Sequence, residues 1–339
     1  MKPDILDSVD RYAAFRSIVV PHKEIAQLKA RIQLLMAETQ NVLEQNAAQA
    51  ASVPAGSFKP IELWYLPLVG PTCSTKSSTL RLVTKELAAP GIARGEQPIL
   101  FVTLRSTVRT TKQLQFEILQ AFDSDTDEKF LTGRDYSEGH ANLSLLELAR
   151  QRKTVLVVLD EANNMLKGDT GKVAAEMAKA LKSMVNDAVF SLVLAGTQRV
   201  RELMQADAEF DGRKRYPMEF EPASINDHGA VIEFCAYVQT LLQRMVSEGV
   251  IDRPFNPLAT VDDMATVFEM AGGVNGAFSK QLLGALDNAF LDGRGFLTWG
   301  DLELAYIQWK RDRTLPGANA KFRSPAKQTV ETMRQIAGV

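Results

Sequence analysis

Between residues 61 and 197, short unbroken apolar runs alternate with stretches whose apolar residues recur every three or four positions. The runs are IELWYLPLVG (61–70), PILFVTLRS (98–106), KTVLVVLDEA (153–162) and VFSLVLAGT (189–197). A run with no polar alternation predicts a strand covered on both faces, as in a parallel sheet. STLRLVTKEL, TKQLQFEILQAF with Leu114, Ile118 and Leu119, HANLSLLELARQRK, and residues 172–187 carry the helical period. Strands alternating with helices predict an α/β fold with a doubly wound parallel sheet flanked by helices.

The flanks read differently. Residues 8–47 have helical spacing, with PHKE at 21–24 as a start signal, and NAAQAASVPAGSFKP (46–60) reads as a connector. After about residue 222 the strand signal fades and helical patterning holds from 226 to 311. The tail from Lys310 (KRDRTLPGANAKFRSPAK) has six basic residues, one acid and two prolines, and is expected to be mobile. DSDTDEK (123–129) reads as a solvated loop. The expected divisions are an N-terminal helical segment and connector (1–57), an α/β domain (58–222), a small helical domain (223–311) and a basic tail (312–339).

Composition narrows the function classes. Apolar residues at 45% and charged residues at 24% suit a globular core and exclude a disordered or fibrous chain. No run reaches the ~18 apolar residues of a membrane span, and MKPDILDSVD lacks the apolar core of a signal peptide. A net charge of −2 means that an anionic partner must meet a local patch. Two cysteines, Cys73 and Cys235, and three histidines make neither a disulfide framework nor a His-rich metal site. A reduced, cytoplasmic protein is expected.

Four segments carry candidate chemistry. In Gly70-Pro71-Thr72-Cys73-Ser74-Thr75-Lys76-Ser77-Ser78, between a strand and a helix, Gly70, Lys76 and Ser77 occupy positions of the phosphate-loop pattern G-x-x-x-x-G-K-[ST]. Such a loop offers backbone N–H groups, a lysine for the β/γ-phosphates and a hydroxyl for Mg²⁺. Thr75 replaces the glycine before the lysine, and Cys73 stands where many such loops carry another; a Cβ at a left-handed position costs roughly 1–2 kcal/mol. The other reading is an ordinary strand–helix turn. Asp160 and Glu161 end the third strand, where phosphate-loop ATPases place a Mg²⁺-holding aspartate and a water-polarising glutamate. Thr197 and Gln198 at the fourth strand's end could meet a γ-phosphate or cap a helix. The cluster DGRKRY (211–216) offers Arg213 as an arginine finger for a neighbouring subunit, or a solvated patch.

The order GPTCSTKSS, VLVVLDEANNML, LVLAGTQ, FDGRKRYPMEFEP and MAGGVNGAFSKQLL resembles the TniB/TnsC group of AAA+ ATPases, over roughly residues 15–305. These are the target-selecting, transposase-activating proteins of multi-component bacterial transposons, with the phage Mu B protein a functional cousin. The resemblance implies an AAA+ P-loop NTPase core and a helical lid. It also implies an ATP- and Mg²⁺-dependent homo-oligomer, a ring or helical filament on duplex DNA, at the bacterial nucleoid. Its partners would be a transposase and a target-selection protein. Carried over by residue, Lys76 and Ser77 serve phosphate and Mg²⁺, Asp160 Mg²⁺, Glu161 water activation, Arg213 the finger and Thr197 a sensor. Two departures stand out: the side chains at Cys73 and Thr75, and the lack of an arginine in Gly272–Lys280, where AAA+ proteins often place a second sensor and Lys280 is a weak substitute. Both bear on how fast ATP is hydrolysed.

DNA contact must come from local basic residues. LRSTVRTTK (104–112) offers Arg105, Arg109 and Lys112 among Ser106, Thr107, Thr110 and Thr111, a set suited to phosphate contacts without base reading. Lys172, Lys179 and Lys182 on one helix are a second candidate set. Two other functions fit less of the pattern: a helicase-loader or replication-initiator ATPase, and a non-hydrolysing nucleotide-binding scaffold.

Overall fold

Tyr65–Val69 and Leu156–Asp160 are buried at every position, which only a sheet covered on both faces allows. The computed structural model describes residues 5–54, 57–124, 137–166, 171–311, 322 and 324–338. The acidic stretch 125–129 and tail residues 312–321 and 323, for which solvated and mobile segments were expected, lie outside them. Helices α1 (Ile5–Ser17) and α2 (Lys23–Ser52) precede β1 (Tyr65–Val69), α3 (Lys76–Ile92), β2 (Ile99–Thr103), α4 (Thr111–Ser124), α5 (Glu138–Gln151) and β3 (Leu156–Asp160). A short 3-10 segment (Ala162–Leu166) leads to α6 (Gly171–Asn186), β4 (Ser191–Gly196), α7 (Val200–Gln205), α8 (Ala208–Asp211) and β5 (Met218–Glu219). The chain continues through α9 (His228–Ser247), α10 (Val261–Ala271), α11 (Asn275–Leu291), α12 (Trp299–Arg311) and α13 (Lys327–Ala337).

Two compact units result. One holds Lys23–Thr72 and Lys76–Phe220, built on a parallel sheet with strand order β2-β3-β4-β1-β5 among the described residues. Its register sets Thr103 beside Asp160 and Val69 beside Gly196, so the carboxyl ends of β1, β3 and β4 share one edge. Open α/β sheets bind ligands beyond that edge. Long α2 covers one face, with Leu28, Ile32 and Leu35 packed among Leu66, Leu80, Val158 and Val193. β5, only two residues long, lies in RYPMEFEP, whose charges and prolines hide it from an apolar-run reading.

The expected connector at 46–60 is helical as far as Ser52, because its alanines are strong helix formers. Buried Asn46 then fixes the chain's return: its amide donates to the Ile61 carbonyl (3.1 Å) and its oxygen accepts from the Ile61 N–H (2.8 Å).

The second unit gathers the described residues up to His22, Cys73–Thr75, and the described residues from Glu221 onward. Phe15 and Val20, the latter just beyond α1, share a core with Val231, Phe234, Phe278 and Leu286, and Arg11 pairs with Asp252 at 2.8 Å. The stretch expected as one N-terminal segment is therefore divided between the units. Lys327–Ala337, placed by expectation in a mobile tail, is a helix: Met333 is fully buried, and Glu269 accepts from the Thr329 hydroxyl (2.5 Å) and the Ala326 N–H (2.8 Å).

Candidate functional site

β1 hands the chain to Gly70, whose N–H donates to the Gly196 carbonyl at 3.2 Å and ties the tips of β1 and β4 together. The loop Gly70–Thr75 then turns into α3, which begins at Lys76. Cys73 (φ 67°) and Thr75 (φ 64°) both adopt the left-handed backbone that a glycine-rich loop would take without strain. The loop thus keeps its shape despite two side chains, and the β-branched Thr75 bears more of the strain. Pro71 and Ser77 are half-buried, Ser74 is buried, and Thr72 and Ser78 are exposed. We expect Thr75→Gly to raise unfolding stability by ~0.5–1 kcal/mol, the relieved strain less glycine's added chain entropy. Thr75→Ala, which keeps the Cβ, should recover little of that in the same denaturant titration.

Lys76 is only 8% exposed and bends back across the loop, its Nζ donating to the Gly70 (2.9 Å) and Pro71 (2.7 Å) carbonyls. Ser77, one residue on, donates its hydroxyl to Asp160 Oδ1 at 3.1 Å, and the Glu161 N–H donates to the same oxygen at 3.0 Å. Burial pushes the Asp160 carboxyl above its ordinary value, opposed by these two hydrogen bonds, while the Glu161 charge pushes it further up and Arg81 draws it down. Arg81 is itself held, its guanidinium over the Phe101 ring (4.4 Å) and Nη2 on Thr103 Oγ1 (2.7 Å). A hydroxyl and a buried carboxylate oxygen at this separation form an oxygen donor pair suited to Mg²⁺, which takes few protein ligands beside phosphate and water. Among the described residues no cluster of three His, Cys, Asp or Glu forms a protein-only metal cage.

The raised carboxyl makes a stability prediction. The fold favours protonated Asp160, so its contribution is full below the ordinary carboxylate range and is lost as pH rises through the raised value. Asp160→Asn keeps an oxygen for Ser77 and the Glu161 N–H without the charge. It should stabilise the ligand-free fold at pH 7, where the parent carboxylate is charged against the cost of its burial. The gain should vanish near pH 3–4 in thermal denaturation.

Glu161 follows directly, exposed and itself left-handed (φ 58°). Asn163 donates from Nδ2 to Glu161 Oε2 (3.4 Å), and its Oδ1 accepts from the Thr197 N–H (3.0 Å). Lys76, Ser77, Asp160, Glu161 and Thr197 therefore gather at one edge of the sheet. Asn163 and Arg81 join them unannounced by any motif; the polar NN following the acids was the available signal for Asn163.

Arg213 does not join this group within the chain. Its carbonyl accepts from the Tyr65 N–H (3.1 Å), at the opposite end of β1 from Gly70. Its guanidinium pairs with Glu62 (2.6 Å), and Nη1 is buried with no hydrogen-bond partner among the described residues. The three cations after β2 also differ in kind. Arg109 closes its own loop by donating to the carbonyls of Val108 (2.6 Å), Ser106 (2.7 Å) and Asn164 (2.7 Å). Arg105 is 63% exposed and pairs with Gln120 (2.7 Å) and Glu117 (3.5 Å), while Lys112 lies 5.9 Å from the Phe116 ring centre. In the second set Lys172 and Lys179 are exposed, and Lys182 is engaged by Asp207 (3.0 Å) and Glu209 (2.9 Å). Among the described residues no helix is long and apolar enough to cross a membrane.

Residues 66–204 match the family model of the AAA domain. No curated protein matched the chain. Among solved structures it is similar to the Aeropyrum pernix ORC1 protein in complex with DNA (16% identity, TM-score 0.53, 89% of this chain and 70% of that one). It is similar also to the Aeropyrum pernix ORC2 protein in its ADP form (13%, TM-score 0.58, 87% and 72%) and to CDC6P from Pyrobaculum aerophilum (14%, TM-score 0.53, 96% and 89%). At such identities the likeness is one of fold. The match over 66–204, the parallel sheet and the loop between β1 and α3 together give this chain an α/β, AAA+ P-loop NTPase-like fold with additional C-terminal helices.

Proposed function

We propose that the chain is an ATPase that uses ATP and Mg²⁺ to assemble on duplex DNA without sequence preference, as a regulator of transposition. The observation that carries the nucleotide part is the Ser77–Asp160 hydrogen bond with Lys76 and Glu161 beside it, at the carboxyl edge of a parallel sheet. In this reading Lys76 and the loop N–H groups hold phosphate, and Ser77 and Asp160 hold Mg²⁺. Mg²⁺, when bound, supplies charge neutralisation at the phosphates. Glu161 orients the attacking water and draws its proton, and Thr197 reports on the γ-phosphate from the tip of β4.

Arg213 is the candidate finger for a second copy. Its guanidinium is largely buried against exposed Glu62, and in this role it would exchange that partner for a nucleotide's charge across a subunit boundary. Arg105 and Lys112 are the candidate phosphate contacts to DNA, and Arg109 shapes the loop that presents them. Transposase and target-selection protein enter through the motif order alone. A second reading, a replication initiator or loader, gains from the fold likeness to the ORC and CDC6P structures, one of them solved with DNA.

The test is fluorescence anisotropy of a labelled, arbitrary-sequence duplex titrated with protein at fixed salt, with ATP, ADP or no nucleotide. The transposition reading expects cooperative binding with ATP only, and recruitment of transposase to the coated DNA. Binding confined to particular sequences as dispersed monomers favours the initiator reading. Binding indifferent to nucleotide overturns both and leaves a scaffold.

A further inference from the structure

Asn163 occupies a position that no motif assigns, yet the tip of β4 is shaped around it. It sits in the 3-10 segment Ala162–Leu166, whose first turn is closed by the Asn164 N–H on the Glu161 carbonyl (2.8 Å). The orientation of its amide follows from its partners. The Thr197 N–H can only donate, so the Asn163 oxygen must face it (3.0 Å), and the nitrogen is turned towards Glu161 Oε2 (3.4 Å). The second contact is at the long end for a hydrogen bond. Catalytic hydrogen bonds are commonly long before substrate binds and tighten in the complex. The neighbouring backbone leaves no slack: a Cβ on Gly196 would fall 2.5 Å from Asn163 Oδ1, 3.2 Å from its backbone nitrogen and 2.7 Å from Val200 Cγ2. A side chain at Gly196 and the Asn163 amide cannot share this space.

We infer that Asn163 is a positioning residue that fixes the Glu161 carboxylate relative to the β4 tip, so that the water-activating group and the Thr197 sensor hold one geometry. The inference rests on the reading of Glu161 as the residue that activates water. The physical case is that Glu161 is exposed, and an exposed glutamate has several free side-chain rotations to lose before it can hold water in line. A half-buried amide, itself anchored on a strand end, removes part of that freedom in advance.

The experiment separates this role from a structural one. Full-length protein is assayed for ATP turnover with Mg²⁺, and for equilibrium binding of a fluorescent ATP analogue, as parent, Asn163→Ala, Asn163→Asp and Gly196→Ala. Asn163→Asp keeps the oxygen that accepts from Thr197 but sets a carboxylate against Glu161. The expected result is a kcat about 10- to 100-fold lower in both Asn163 variants, with KM and analogue affinity within about threefold of the parent. Gly196→Ala, which pushes the amide aside without changing it, should give a similar kcat loss. Asn163→Asp turning over at the parental rate would show that only the Thr197 anchor matters and would overturn the positioning role while leaving the ATPase reading intact. Absence of turnover by the parent, with or without DNA, would overturn the ATPase reading and the inference with it.

Discussion

Glu161→Gln should bind ATP with an affinity within about threefold of the parent and hydrolyse it at least ~100-fold more slowly. The amide has the size and shape of the carboxylate, so the backbone of the turn is undisturbed. The Glu161 N–H, which braces Asp160 at 3.0 Å, is retained by any residue but proline. What is lost is the ability to take a proton from water. Because Asp160, Ser77 and Lys76 are untouched, the groups assigned to nucleotide and Mg²⁺ stay in place, and the effect should fall on kcat alone. Phosphate release measured beside equilibrium binding checks this directly. The same variant should also hold its DNA complex for longer, since the proposed assembly on DNA depends on ATP that this variant does not consume. Faster dissociation from DNA would contradict the role given to Glu161.

The second large effect belongs to Lys76. Replacing it by alanine should weaken ATP binding by more than ~100-fold, about 3 kcal/mol, because a buried ammonium and its charge-assisted hydrogen bonds disappear together. The loop also loses its brace, for Nζ spans the Gly70 and Pro71 carbonyls. Lys76→Arg should not restore binding: the guanidinium is planar and larger than the ammonium, and the site leaves the side chain only 8% exposed. Titration of a fluorescent nucleotide analogue, run beside a thermal melt to show that each variant is folded, separates loss of grip from loss of fold. Binding within twofold of the parent in Lys76→Ala would remove this loop from the nucleotide site.

What could be read in advance was whatever is encoded locally. The β3 run ending in Asp160 announces its own burial and the need of that carboxylate for donors, which Ser77 and the Glu161 N–H supply. Lys76 and Ser77 were legible from their spacing to Gly70. The strain at Cys73 and Thr75 was legible too, because the loop's shape demands left-handed backbone whatever residues occupy it. Contacts that depend on distant partners were not. Arg213 is defined by Glu62, and Asn163 by the Thr197 N–H just beyond β4. The apolar face of α1 shows that the helix packs, yet only the fold reveals that its partners lie beyond residue 220. α13 was hidden for a similar reason: its anchor, Glu269, lies on α10, and proline and basic residues dominate the approach to it.

The left-handed pair in the phosphate loop also bears on how quickly the site can empty. A loop that has swung open has no need of positive φ at Cys73 or Thr75, so opening sheds strain that a glycine loop never stores, about 1–2 kcal/mol once the greater freedom glycine gains on opening is set against it. With half of the lower figure released at the top of the barrier, opening is about twofold faster than in the glycine counterpart. In the proposed ATPase, the two residues that look like damage in the motif would act as a spring that favours the open loop.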